Sequence, residues 1–165
     1  MEFYVILISG FSLVVSTIAL IFSIISNAKS NRLKHENVRL ANAMVETDIR
    51  ATIGNETARV NEVAMKLNTL IAKQKTEEIK DHERHELKSL KKNLTAAIQG
   101  MLNAYEEACS KYLDGKIDKE RFRRTYHVEI RNLLEAQDLK LFFAPHTSSY
   151  RAIIKVYNEW ENLEK

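Results

Sequence analysis

Residues 3–26 read FYVILISGFSLVVSTIALIFSIIS, a run without one charged side chain. As a helix rising about 1.5 Å per residue it is about 36 Å long, enough for the roughly 30 Å hydrocarbon core of a bilayer. The run therefore predicts one transmembrane helix over 3–26. A secretory signal peptide carries basic residues ahead of a shorter apolar core. Here the basic residues, Lys29, Arg32 and Lys34, follow the run and none precedes it. The positive-inside tendency then puts the N-terminus outside and the rest of the chain in the cytoplasm, with the lipid bilayer as the first expected partner. The alternative is a buried helix of a water-soluble protein.

Most of the small and polar residues of this run share one stripe. Ser9, Ser12, Ser16, Ala19, Ser23 and Ser26 recur at steps of three and four, which places them on one side of a slightly underwound helix. Small side chains let helix backbones approach each other, and their hydroxyls bond across an interface that lipid tails do not reward. The stripe reads as a homo-oligomer seam or as the wall of a narrow wet pore, because polar groups within a membrane face protein or water. The plainer alternative is that each Ser bonds back to its own helix.

Outward from that segment, composition excludes more than it names. The 165 residues hold 25 Lys+Arg and 22 Asp+Glu, a net charge of +3, which is mild for a dedicated nucleic-acid binder. A single Cys, Cys109, rules out an internal disulfide framework and a cysteine zinc site, and its place on an apolar helix face reads as a buried thiol. Four Gly and one Pro are too few for a protein of strands and tight turns.

The three-and-four spacing continues beyond the membrane through Ser30, Leu33, Asn37, Leu40 and Met44. Further on the repeat becomes eleven, in Val38, Ile49, Val60 and Ile71 and again in Asn42, Ile53 and Ala64. Eleven-residue repeats suit a nearly straight bundle. Residues 27–80 are thus expected to form a helical neck, a coiled coil over about 29–75, with a bend at Gly54-Asn55. The alternative is an amphipathic helix lying on the chain's own globular part. Residues 73–92 interleave both signs of charge and read as a solvated helix or hinge. Asp81, His82 and His85 lie within it, but two His in a mixed-charge run are read as surface, so no metal and no cofactor is expected.

A helical bundle is expected over 81–165. Leu87, Leu90, Leu94, Ile98, Met101, Tyr105, Ala108 and Tyr112 keep helical spacing up to a stop at Asp114-Gly115. Asp118 then caps a second helix, with Ile117 and Phe122 placed as a hydrophobic staple and an inner face of Phe122, Tyr126, Ile130, Leu133 and Leu134. A short apolar run at 139–143 precedes Pro145. Thr147 or Ser148 caps a last helix that turns Tyr150, Ile153, Ile154, Tyr157 and Trp160 inward. The fold class is all-α, and a bundle of roughly 80 residues buries a modest core without enclosing a large active site.

No phosphate-binding loop, zinc-protease motif or nucleophile elbow is present. The one local concentration of positive charge is KIDKERFRRTYHVEIR at 116–131, where Lys119, Arg121, Arg123 and Arg124 are candidates for an anionic ligand. Arg121 and His127, separated by five residues, fit the Arg-x(4–6)-His spacing of HEPN-class ribonucleases and are the candidate catalytic pair. Chance alone supplies about one such spacing in a chain with this many Arg and His, and Phe122 stands where that pattern has a polar residue. Catalysis is therefore left open, with a non-enzymatic role favoured.

One membrane helix, a helical neck and a small cytoplasmic bundle carrying Arg-x5-His resemble, in order of parts, small membrane-anchored effectors of bacterial antiviral defence. The similarity is to the membrane accessory proteins of type VI-B CRISPR systems, which carry a divergent HEPN-like domain, and second to type III CRISPR membrane effectors that bind cyclic oligoadenylate. The resemblance implies an oligomeric pore in the bacterial inner membrane, with Ser9, Ser12, Ser16, Ser23 and Ser26 facing the pore and Arg121 and His127 as the motif. It also implies a cytoplasmic nucleotide, RNA or protein activator. The alternatives are a membrane-tethered HEPN-like ribonuclease and a non-enzymatic anchor for a partner protein.

Overall fold

The computed structural model describes residues 2–76, 80–144 and 148–163, with side chains from residue 22 onward except Thr76. Among the described residues every regular element is helical and none is a strand. Helix α1 is Glu2–Thr76, α2 Asp81–Leu113, α3 Lys119–Glu135 and α4 Arg151–Leu163, with a 3-10 segment at Gln137–Phe143 between α3 and α4. At Gly54-Asn55, where a bend is expected, α1 continues as helix. The chain divides into two compact units, Met1–Ala41 and Asn42–Lys165.

In the first unit the described side chains are all exposed. Phe22 is 75% exposed, Ile24 and Ile25 60% each, and Leu33, Val38 and Leu40 more than half. Among the described residues no helix is long and apolar enough to cross a membrane. Most of the expected span at 3–26 lies outside the residues whose side chains are described, and with it Ser9, Ser12 and Ser16; Ser23 and Ser26 are exposed.

The second unit is a bundle to which α1 contributes its C-terminal part. There α1 and α2 run antiparallel, as three side-chain contacts fix. Lys73 Nζ lies 2.6 Å from Glu83 Oε1, and Lys111 Nζ 3.9 Å from Asp48 Oδ2. Between them, a Cβ built on Gly100 would stand 2.5 Å from Glu56 Oε2, at the end of a glutamate side chain of α1. The eleven-residue repeat of the neck thus finds its partner within its own chain. Ile49 and Ile53 are 4% and 5% exposed and belong to the bundle core, with Val45 packed beside them. Residues 42–76 are a wall of the bundle, and the compact unit begins at Asn42.

The core is closed by α2, α3 and α4. Trp160 sits at its centre, T-shaped against Tyr112 at 5.6 Å and near Phe122 at 6.1 Å. Phe122 in turn packs on Tyr126 at 4.8 Å. Trp160 Nε1 donates to Tyr112 Oη at 3.0 Å, and Tyr112 Oη donates to Glu159 Oε1 at 2.8 Å, so the buried polar ends of both rings are satisfied. Leu102, Ile130, Ile153 and Val156 fill the space around them and are fully buried. Truncating any one of these side chains removes about 2–5 kcal/mol. The run at 139–143 forms the 3-10 segment and buries no residue completely, with Leu141 89% exposed.

Candidate functional site

The segment with the local positive charge is α3, and its placement is set by the chain around its N-terminus. α2 ends in a Schellman turn: Lys116 N–H donates to Lys111 O at 3.0 Å and Gly115 N–H to Tyr112 O at 3.1 Å, with Gly115 at φ +69°. Asp118 then caps α3, its Oδ1 accepting from Arg121 N–H at 2.9 Å. Ile117 and Phe122, 3% and 4% exposed, form the expected staple across the cap. A further support comes from α1, where Glu46 Oε1 accepts from Asp118 N–H at 3.1 Å. Arg121 N–H and then its guanidinium hold the Asp118 carboxyl below its ordinary range.

The four candidate cations are each engaged. Lys119 Nζ lies 4.8 Å above the Tyr112 ring, and Arg121 reaches Glu46 Oε2 at 3.2 Å and Asp118 Oδ2 at 3.4 Å. Arg124 pairs with Glu120 at 3.2 Å along its own helix. Arg123 is half-buried and takes part in interactions of its own. Three carboxylates thus stand among these cations, and an incoming anion has to compete with them. The space matters as well. The recess between Arg121, Phe122 and Ile49 holds about 20 Å³, room for one water. Beside it Arg50 and Arg121 flank an open hollow of about 270 Å³ with Glu46 between them.

Arg121 and His127 are not brought together. Six steps along one helix place them about 9 Å apart along the axis and turn them about 120° apart. Arg121 faces α1, where Glu46 meets it. His127 faces α4, its ring 5.6 Å from that of Trp160. His127 Nε2 is 3.2 Å from Arg131 Nη2, and because a guanidinium only donates, that nitrogen is the acceptor. Arg131 also gives Nε and Nη2 to Glu161 Oε1, at 3.1 and 2.8 Å. The His127 lone pair that would act as a base is committed to a Glu161–Arg131–His127 chain that ties α3 to α4.

Several groups that hold the site carry no signal in the local sequence. Glu106 of α2 accepts from Ala152 N–H at 2.8 Å and Ile153 N–H at 3.0 Å, capping α4 from a distance. Ser148 Oγ accepts from Tyr150 N–H at 3.0 Å, while Thr147 and His146 lie outside the described residues. Tyr105 Oη donates to Glu129 Oε2 at 2.7 Å, and burial, followed by that carboxylate, pushes its phenol far above its ordinary range. Cys109 is fully buried, which pushes its thiol far up. Among the described residues no three His, Cys, Asp or Glu side chains gather as a metal site, and Asp81, His82 and His85 are all exposed.

Comparison with known proteins adds no relative: no family model, no curated protein and no solved structure matches the chain.

Proposed function

We propose that this chain is a single-pass membrane protein that self-associates, an effector whose C-terminal bundle receives a cytoplasmic signal and whose N-terminal helix acts on the bilayer. One observation carries the reading. Phe22, Ile24 and Ile25 stand in the open at the end of a run that is uncharged from Phe3, and all the described side chains of the first unit are exposed with them. Exposing three large apolar side chains, spread round the helix, costs up to about 1.5–3 kcal/mol each against full burial, which a bilayer or a second helix restores. The order of parts supports the bacterial inner membrane and antiviral defence, with a nucleotide, RNA or protein as the signal and a pore as the output. The Ser stripe supports packing of several such helices. No observation favours the ribonuclease reading, since Arg121 and His127 face different neighbours.

The test is extraction of the full chain from bacterial membranes. It is expected to resist alkaline carbonate, to dissolve in detergent, and to permeabilise the inner membrane when its signal is present. Triple replacement of Ser12, Ser16 and Ser23 by Leu is expected to abolish permeabilisation while leaving the chain in the membrane. Release of the wild type by carbonate contradicts the reading.

A further inference from the structure

The net charge of the chain has one address. Between Glu2 and Glu36 the charged side chains are Lys29, Arg32 and Lys34, and all three are basic. They equal the net +3 of the whole protein, since the remaining 22 basic residues are matched by 22 acidic ones. Lys29, Arg32 and Lys34 are all exposed, and among the described residues no carboxylate is paired with them. The cations of α3 are the contrast, because Arg121 meets Glu46 and Asp118, and Arg124 meets Glu120. An anion reaching residues 29–34 meets no such competitor among the described residues, and Glu36 and Arg39 just beyond offset each other in charge.

Position along α1 sets what that anion is. The helix is unbroken from Glu2 to Thr76, so Lys29, Arg32 and Lys34 stand about 4.5, 9 and 12 Å beyond the end of the uncharged run at Ser26. The headgroup layer of a bilayer extends about 5–8 Å beyond each face of the hydrocarbon. Helical side chains tilt toward the N-terminus, here toward the bilayer, and long basic side chains bend further that way, so the charged ends fall back into that layer. Rotation about the helix then decides between occupants. With about 100° of turn per residue, Arg32 is turned about 60° from Lys29, and Lys34 about 140° from Lys29 and 160° from Arg32. Three cations spread in this way make a collar. A free anion, or a partner helix packed on one side, meets two of them at most, whereas lipid headgroups surround the helix and meet all three.

We infer that Lys29, Arg32 and Lys34 form a collar that selects anionic lipids, whose phosphates seat round α1 where it leaves the membrane. The inference rests on the membrane reading above and adds to it the class of lipid. The collar also fixes the depth of the helix, since a shift of one helical turn, about 5.4 Å, carries either Lys29 into hydrocarbon or Lys34 clear of the phosphates.

Native mass spectrometry of the full chain tests this, with the protein released from detergent micelles that hold equal amounts of phosphatidylglycerol and phosphatidylcholine with identical acyl chains. Only the headgroups then differ. A basic residue near an anionic surface favours it about fivefold, so phosphatidylglycerol is expected among the retained lipids in about tenfold excess or more. Joint replacement of Lys29, Arg32 and Lys34 by Gln is expected to bring the two lipids to within about twofold of each other. Joint replacement of Lys88, Lys91 and Lys92 by Gln removes the same charge from exposed positions of α2 and is expected to keep the excess. Water-soluble glycerol phosphate at the same concentration is expected to leave the lipid bound. Equal retention of both lipids by the wild type, as large a loss in the α2 variant as in the collar variant, or displacement by glycerol phosphate overturns the inference. Carbonate extraction separates the two failures. A wild-type chain that stays in the membrane yet retains both lipids equally loses the collar alone, whereas one released by carbonate loses the membrane reading and the collar with it.

Discussion

Replacing Glu106 by Ala is expected to undock α4, although Glu106 lies on another helix, 46 residues before Ala152. Its two carboxylate oxygens take the N–H groups of Ala152 and Ile153 at 2.8 and 3.0 Å, and both residues are buried, at 8% and 0% exposure. Water has little access to those donors once the carboxylate is gone. A buried donor left unpaired costs about 1–3 kcal/mol, and a hydrogen bond to a charged group contributes about 1.5–3 kcal/mol. The helix dipole adds about 0.3–1 kcal/mol for a negative charge at this end. These overlap, so the loss expected for Glu106→Ala is about 2–4 kcal/mol. Glu106→Gln keeps one acceptor and is expected to lose about half of that. Trp160, the only tryptophan, sits on α4 and makes its fluorescence a local reporter of docking. Guanidinium titration of the detergent-solubilised chain followed by that fluorescence gives the comparison. Glu107→Ala is the control, since its side chain is 64% exposed and pairs with Lys111 along its own helix, and it is expected to cost under about 1 kcal/mol. Equal midpoints for Glu106→Ala and Glu107→Ala would refute the reasoning.

Three further outcomes are expected. Gly115→Ala, at φ +69°, is expected to lower stability by about 1–2 kcal/mol in the same titration, because an L side chain strains that conformation. Asp118 has its folded pKa depressed, so its contribution is present above the unfolded carboxylate value near 4 and is lost as pH falls through the folded value. Asp118→Asn keeps a capping oxygen without the titration, so denaturation midpoints at pH 5.5 and pH 3 are expected to differ less in this variant than in the wild type. Purified wild-type chain incubated with labelled RNA is expected to leave it intact; cleavage that disappears in both Arg121→Ala and His127→Ala, with unchanged melting, would show that the two residues converge after all.

Local chemistry made much of the bundle legible. The Gly115 turn, the Asp118 cap and the Ile117–Phe122 staple each depend on residues a few positions apart, and all three are as expected. The inward faces of α3 and α4 follow from helical spacing, with Phe122, Tyr126, Ile130, Ile153 and Trp160 all buried. Hydrophobic period tells which residues are covered but not what covers them. The eleven-residue repeat marked Ile49 and Ile53 correctly, yet their cover is the chain's own bundle in place of the neck of another copy. Residues 42–76 belong to the same compact unit as the helices that follow. Leu87, Leu90 and Leu94 keep the right spacing but are only half-buried, because they lie toward the end of α2 away from the core. At the candidate site the cations were visible and their neutralisation was not. Glu46 is 72 residues from Asp118 and nothing in either local sequence announces the pairing. The Arg121–His127 spacing was visible too, but spacing on one helix sets a rise and a rotation, and these point the two side chains at different helices.

Self-association is the claim on which the membrane effector depends. Its most direct test is the mass of the full chain in detergent, by light scattering with the micelle subtracted, over a range of dilutions. A discrete multiple of the 19.1 kDa protomer that survives dilution is expected. A single 19.1 kDa protomer at every concentration would contradict it.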